Sequence, residues 1–184
     1  MSITVKTTIP EKSDRKAFKN LYLSAFPKEE RAPFFLILSR LKTGKAEILT
    51  AHENEKFIGF AYMVCWKDLA YLFYLAVDGT IRGKGYGTQI LNAVKNHYHN
   101  RRIFLAREQL DQSAENYDQR ISRHAFYVKN GFTDLPCQIK EASVIYDVMG
   151  IGGNITVQEY KNLMMAWAGK FLSKMIDMKL IEKF

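Results

Sequence analysis

Apolar and polar positions follow two rhythms along the chain. Residues 2–8, SITVKTT, alternate at every second position, as a half-exposed strand does. From Ser13, a candidate N-cap, the period lengthens, and Phe18, Leu21, Tyr22 and Ala25 fall on one side of a predicted helix that Pro27 stops. FFLILSRL after Pro33 predicts a second helix. Three apolar runs then crowd together, AEILTAH (46–52), FIGFAYMVCW (57–66) and LAYLFYLAV (69–77), joined only by ENEK and KD. Connectors that short predict an antiparallel meander.

Thr88 to Tyr98 reads as a helix with Ile90, Leu91 and Val94 inward. RRIFLARE (101–108) is the next strand, and because a helix leads into it, it must run parallel to 69–77. A polar loop, QLDQSAENYDQ, opens onto a helix from about Gln119 to Lys129, closed by Asn130-Gly131 as a left-handed C-terminus. Strands are predicted around CQIKEA and SVIYDVM, and a loop over Gly150–Gly153. Thr156 and Glu159 form a capping box for a last helix, about 156–180. It carries Val157, Tyr160, Met164, Trp167, Phe171 and Met175 at spacings of three and four, a stripe suited to a core or to a homodimer interface. No repeat or linker interrupts the pattern, so residues 1–184 are expected to form a single domain.

The bulk numbers narrow the classes. With 184 residues and 47% apolar content the chain can bury a real core. The formal charge of +8 forms no basic tail, and there is no zinc-finger spacing, RNP-like strand or basic region running into heptads. A nucleic-acid binder is therefore a minor alternative, one whose affinity would fall steeply with salt. Cys65 and Cys137 lie in apolar surroundings without metal or disulfide spacing and are expected to be two buried thiols, and His97 and His99 point to different sides of a helix. No metal is expected. The first residues lack the apolar block of a signal peptide, and no run reaches the roughly 20 apolar residues of a membrane span, so a cytosolic location is expected.

The candidate chemistry centres on IRGKGYGTQIL (81–91), glycines directly after a strand and before a helix. Such a turn presents unpaired N–H groups and the positive end of a helix dipole, which suits a phosphate. The bland reading is a tight turn that needed small residues. The Walker spacing does not fit, since three residues rather than four separate Gly79 from Gly83-Lys84 and no hydroxyl follows the lysine. Nor does G-x-G-x-x-G, because the spacing here is G-x-G-x-G.

Arg82-x-x-Gly85-x-Gly87 in this setting resembles the pyrophosphate motif of the GNAT N-acetyltransferase family. Further on, His124-Ala-Phe-Tyr127-Val-Lys-Asn-Gly131-Phe132 resembles the family's later signature, a helix ending in tyrosine and then Gly-Phe. The two occur in the family's order, separated by a helix and a strand, and the resemblance extends from the first strand to SVIYDVM. It implies an α/β (α+β) fold, a GNAT-type mixed and mostly antiparallel sheet with one splayed parallel strand pair, flanked by helices. It also implies acetyl-CoA as co-substrate and a primary amine, on a small molecule or a protein, as acceptor.

On this resemblance, coenzyme A enters between the strands 69–77 and 102–108. Its pantetheine pairs with the main chain at Leu75, Ala76 and Val77, and its diphosphate rests on Arg82, Gly83, Lys84, Gly85, Tyr86, Gly87 and Thr88. An alkyl ammonium of pKa ~10.4 holds a free lone pair in roughly one molecule in a few thousand at neutral pH, so a base is needed. Glu108, where family members often place a glutamate, is the candidate base, with Glu115 a weaker one. Tyr127 is the candidate acid for the leaving thiolate. The chain departs from the pattern at Arg120, where the family commonly has an asparagine; that arginine is assigned to the cofactor. Asp111, Glu115 and Asp118 with Glu108 form an acidic group, either a solvated loop or a rim that attracts cationic amines. A non-catalytic acyl-CoA-binding module is the main alternative.

Overall fold

The computed structural model describes residues 3–81, 83–141, 144–172 and 178–182. Its strands are β1 (Thr4–Lys6), β2 (Glu47–Glu53), β3 (Lys56–Trp66), β4 (Leu69–Val77), β5 (Arg102–Glu108), β6 (Thr133–Glu141), β7 (Val144–Ile151) and β8 (Met178–Glu182). They follow the order β1-β2-β3-β4-β5-β7-β6-β8 in a mostly antiparallel sheet whose parallel pair is β4 with β5. The helices are α1 (Lys12–Ala25), α2 (Phe34–Lys42), α3 (Tyr86–His97), α4 (Tyr117–Lys129) and α5 (Val157–Leu172). Among the described residues no helix is long and apolar enough to cross a membrane. The chain divides into two compact units: residues up to Cys65 with Leu72–His99, and Trp66–Tyr71 with the residues from Asn100 onward.

In the first unit β3 explains itself from its sequence. Phe57 through Val64 are all buried, an unbroken apolar run rather than an alternating one, so both faces of the strand must be covered. On one face the ring of Phe18, from α1, meets Phe60 edge-on at 4.7 Å. On the other, Ile90 of α3 comes so close to Gly59 that a β-carbon there would lie 3.0 Å from its Cδ1 and 2.7 Å from the Ala76 carbonyl oxygen. Glycine in mid-strand is what allows β4 and α3 to approach. Truncating Phe18, which is fully buried, to alanine is expected to cost about 3–5 kcal/mol. Tyrosines tie the segment between α1 and α2 to this core: Tyr22 donates to the Ala32 carbonyl at 2.8 Å, and Tyr74 of β4 donates to the Glu30 carbonyl at 3.0 Å.

Three expectations need correction. Helix α1 starts two residues early, with Glu11 at the N-cap and no side-chain cap, so Ser13 lies inside the first turn. Cys65 is only half-buried, whereas Cys137 is buried and its thiol is pushed up to about 11. The helix expected over 156–180 ends at Leu172, after Gly169 takes a non-helical φ of 77°, and Met178–Glu182 is a strand paired with β6. Met175 lies outside the described residues. The capping box holds: Thr156 N–H donates to Glu159 at 2.9 Å, and Glu159 N–H donates to the Thr156 hydroxyl at 3.2 Å.

In the second unit the parallel ladder joins Leu69, Ala70 and Tyr71 to Arg102, Ile103 and Phe104. Tyr71 and Phe104 stand opposite in register and stack at 4.6 Å and 3°, with Tyr160 of α5 edge-on to both. Arg102 forks onto Asp68 and reaches Glu159 at 2.6 Å, fastening α5 to the start of the ladder. Strand β6 breaks register between Asp134 and Gln138, where Pro136 has no N–H to give.

Candidate functional site

The glycine stretch belongs to the first unit. β4 ends at Val77, and the chain turns through Asp78, whose N–H donates to the Ile58 carbonyl at 2.8 Å. The Asp78 carboxylate accepts from the Thr80 N–H and hydroxyl, both at 2.9 Å, and these bonds hold it below the usual carboxylate range. Gly83 and Gly85 follow with φ of 85° and 78°, a left-handed backbone that L side chains rarely take. A β-carbon at either would meet nothing within 4 Å. Gly85 caps α3 without a side chain, and the helix's first i to i−4 bond is Gln89 N–H to the Gly85 carbonyl at 3.1 Å. The N–H groups of Gly87 and Thr88 precede that bond and so have no acceptor within the helix.

These features fit a diphosphate: an open turn, amides ahead of the first helical bond, and the positive end of a helix of 12 residues. Lys84 is exposed beside it. Arg82 lies outside the described residues. Leu75 and Val77 are half-buried and Ala76 is buried on β4. Tyr86, expected to contribute through its main chain, has a ring only 1% exposed and a hydroxyl that donates to Glu53 at the end of β2. The side chain is turned into the protein.

Glu108 and Tyr127 belong to the second unit. Glu108 closes β5 with its carboxylate 16% exposed. Asn116 donates to Oε1 at 3.0 Å, Arg120 lies 3.2 Å from the same oxygen, and Arg123 binds Oε2. Burial alone would raise this carboxyl, but the Asn116 bond and the two guanidinium charges outweigh it and leave it below its ordinary value. Arg120, assigned from sequence to the cofactor, spends its donors locally: Nε donates to Asn116 at 2.7 Å and Nη1 to the Gln109 carbonyl at 2.8 Å. The loop acids do not share its environment. Asp111 closes a small turn on Ser113, and Glu115 and Asp118 are exposed.

Tyr127 lies half-buried on α4, its ring edge-on to Phe132 at 5.7 Å. Burial pushes its phenol up to about 12, partly offset by the charge of Arg123. Its hydroxyl has no hydrogen-bond partner among the described residues. Gly131 ends the helix with φ 89°, and the Phe132 N–H returns to the Tyr127 carbonyl at 3.1 Å, as the Asn-Gly pair predicts.

A polar network escaped the sequence reading. Arg107, 4% exposed, lies 2.8 Å from Asp134 of β6 and 3.3 Å from Asp147 of β7, and His124 of α4 meets Asp134 at 2.9 Å. It fixes α4, one turn before Tyr127, onto three strands. No periodicity could signal it, because the pairs join residues 10 to 40 positions apart in sequence. Gly59 could have been read: a lone glycine inside an apolar strand marks close backbone approach.

Comparison with known proteins agrees with this geometry. Residues 44–134 match the family model described as "Acetyltransferase (GNAT) domain". No curated protein matches the sequence significantly. Among solved structures, a GNAT-family protein from Bacteroides thetaiotaomicron is similar at TM-score 0.64 and 20% identity, over 92% of this chain and 98% of that one. The PaiA N-acetyltransferase of Thermoplasma acidophilum, solved with coenzyme A, is similar at TM-score 0.56 and 18% identity, over 83% and 100%. The ribosomal-protein-S18-alanine N-acetyltransferase of Escherichia coli is similar at 0.57 and 17%, over 84% and 96%. At these identities the likeness is one of fold.

Proposed function

Since this chain belongs to the GNAT acetyltransferase family, we propose that it moves an acetyl group from acetyl-CoA to a primary amine by direct attack, its two units working as one cytosolic acyltransferase domain. The turn before α3 carries this reading: two left-handed glycines with open space above them, then amides with no helical acceptor. The diphosphate of acetyl-CoA would take those N–H bonds at Gly83 to Thr88, and the pantetheine amides would pair with the main chain of Leu75 to Val77 as an added strand does. A strand N–H near Val77 would receive the developing oxyanion, a contact worth about 3 kcal/mol in other enzymes.

The neutral amine forms an N–C bond to the thioester carbonyl carbon, and the tetrahedral intermediate then loses the C–S bond, releasing coenzyme A as thiolate. One proton leaves the amine and one reaches sulfur. Tyr127, with its phenol near 12, is protonated throughout the physiological range and can donate. Full transfer to a thiolate of pKa ~8.5 is uphill by roughly 5 kcal/mol, so Tyr127 serves as a hydrogen-bond donor to sulfur while the amine's proton is the one finally delivered. Glu108, ionised and paired with arginines, takes that proton through water with little driving force, so the acceptor's own ionisation governs the rate.

A second reading, a module that binds acyl-CoA without turnover, is favoured by one observation, the double arginine pairing of Glu108. Calorimetry with coenzyme A, followed by thiol release from acetyl-CoA over a panel of small amines and N-terminal peptides, decides between them. Saturable binding with thiol release for at least one amine supports the enzyme. Binding with no release for any amine supports the module, and no binding overturns both.

A further inference from the structure

Glu53 stands outside every motif in the chain, at the end of β2 and just before a tight turn in which Asn54 and Glu55 take φ of 47° and 66°. Its carboxylate accepts the hydroxyl of Tyr86, the first residue of α3. Around this contact the start of α3 is fixed by side chains and main chain together. Tyr86 is buried at 1% exposure, Ile90 one turn on presses against Gly59, and Asp78 fastens the other end of the turn to β3. Gly85 lies between these anchors with no side chain of its own to hold the helix end.

We infer that Glu53 is a positioning residue for the diphosphate turn, acting through the Tyr86 hydroxyl to set the direction in which the first amides of α3 point. The inference rests on the acyl-CoA reading above. A helix that starts on a left-handed glycine has a free pivot there, and two or three converging N–H groups bind an anion only while their directions agree. Rotation of the first turn by a few tenths of an ångström per amide lengthens several bonds to the anion at once. The strap from β2 removes that freedom before the ligand arrives, which favours affinity through preorganisation. A carboxylate so near an anion site would otherwise repel its ligand; engaged by the phenol, it faces the protein.

The test uses the whole chain with coenzyme A and pantetheine as separate probes. Tyr86→Phe keeps the ring and removes the hydroxyl, Glu53→Ala removes the acceptor, and Glu53→Gln keeps an acceptor oxygen without the charge. Coenzyme A is expected to bind Y86F and E53A about tenfold more weakly, the size of one lost hydrogen bond to a charged group. The double variant should be no weaker than either single one. E53Q should retain most of the affinity. Pantetheine, which has no diphosphate, should bind all variants as it binds the wild type. Equal loss for both probes marks a merely structural role and overturns the inference, as does unchanged coenzyme A affinity in Y86F and E53A. Wild-type protein that binds no coenzyme A overturns the acyl-CoA reading itself, a result visible before any variant is made.

Discussion

Gly59→Ala is the substitution whose outcome follows most directly from geometry. The added β-carbon would stand 2.7 Å from the Ala76 carbonyl oxygen, 3.0 Å from Ile90 Cδ1 and 3.4 Å from Val77 Cα. Ile90 can turn its terminal methyl aside. Ala76 cannot, because its oxygen is main chain in a strand, so β4 must retreat by about 0.7 Å to restore an ordinary 3.4 Å contact. Overpacking of this kind costs about 1–3 kcal/mol, and the stiffer unfolded chain returns up to about 1 kcal/mol. A net loss of about 1–2 kcal/mol should lower the melting temperature by roughly 2–8 °C for a chain of this size. The same retreat moves the main chain of Ala76 and Val77, where pantetheine is proposed to pair. One hydrogen bond stretched from about 2.9 Å beyond 3.5 Å is lost, and coenzyme A affinity should drop several-fold. Calorimetric melts and coenzyme A titrations of the two proteins check both numbers. A variant melting within about 1 °C of wild type would show that β4 yields freely, and the reasoning from that contact would be wrong.

The chemical assignments make further predictions. Tyr127→Phe should lower turnover roughly tenfold or more with coenzyme A affinity little changed, since only the proposed donor to sulfur is lost; steady-state kinetics checks it. Because the arginines hold Glu108 ionised from well below neutrality, the rise of kcat/KM with pH should follow the acceptor's ammonium, and a change of acceptor should move it. Glu108→Gln should cost on the order of 2 kcal/mol of stability above pH ~4.3, a difference present where the unfolded carboxyl is ionised and lost as pH falls through its depressed folded value. Denaturant unfolding at a series of pH values measures that difference, and a gap that persisted at the lowest pH would refute the charge pairing.

What the sequence made legible divides along a physical line. Strands β2 to β4 and helix α3 could be read because each is written in a few adjacent residues: apolar runs closed by two-to-four-residue polar connectors, and glycines ahead of an apolar 3.6-residue period. The parallel pairing of β4 and β5 followed from connection length alone. Strand β8 was hidden because the apolar spacing from Tyr160 to Trp167 runs on through Phe171, and only Gly169 marks the stop. A positive φ at one residue outweighs a period that continues past it.

The site shows the same division, with a chemical consequence. The family resemblance pointed to Glu108 as a base, because members often place a glutamate at that strand end and the ammonium acceptor needs one. Its actual character comes from Arg120 and Arg123, one and two turns along α4, whose charges no motif weighs. A carboxylate that accepts from Asn116 and two guanidiniums keeps its negative charge more firmly and accepts a proton less readily. Arg120, read as a contact for the cofactor, is thereby committed to holding α4 against the end of β5, and that helix also carries Tyr127. Removing Arg123 should therefore act in two opposite ways: Glu108 becomes a stronger base, while the helix that presents the phenol loses one of its fastenings.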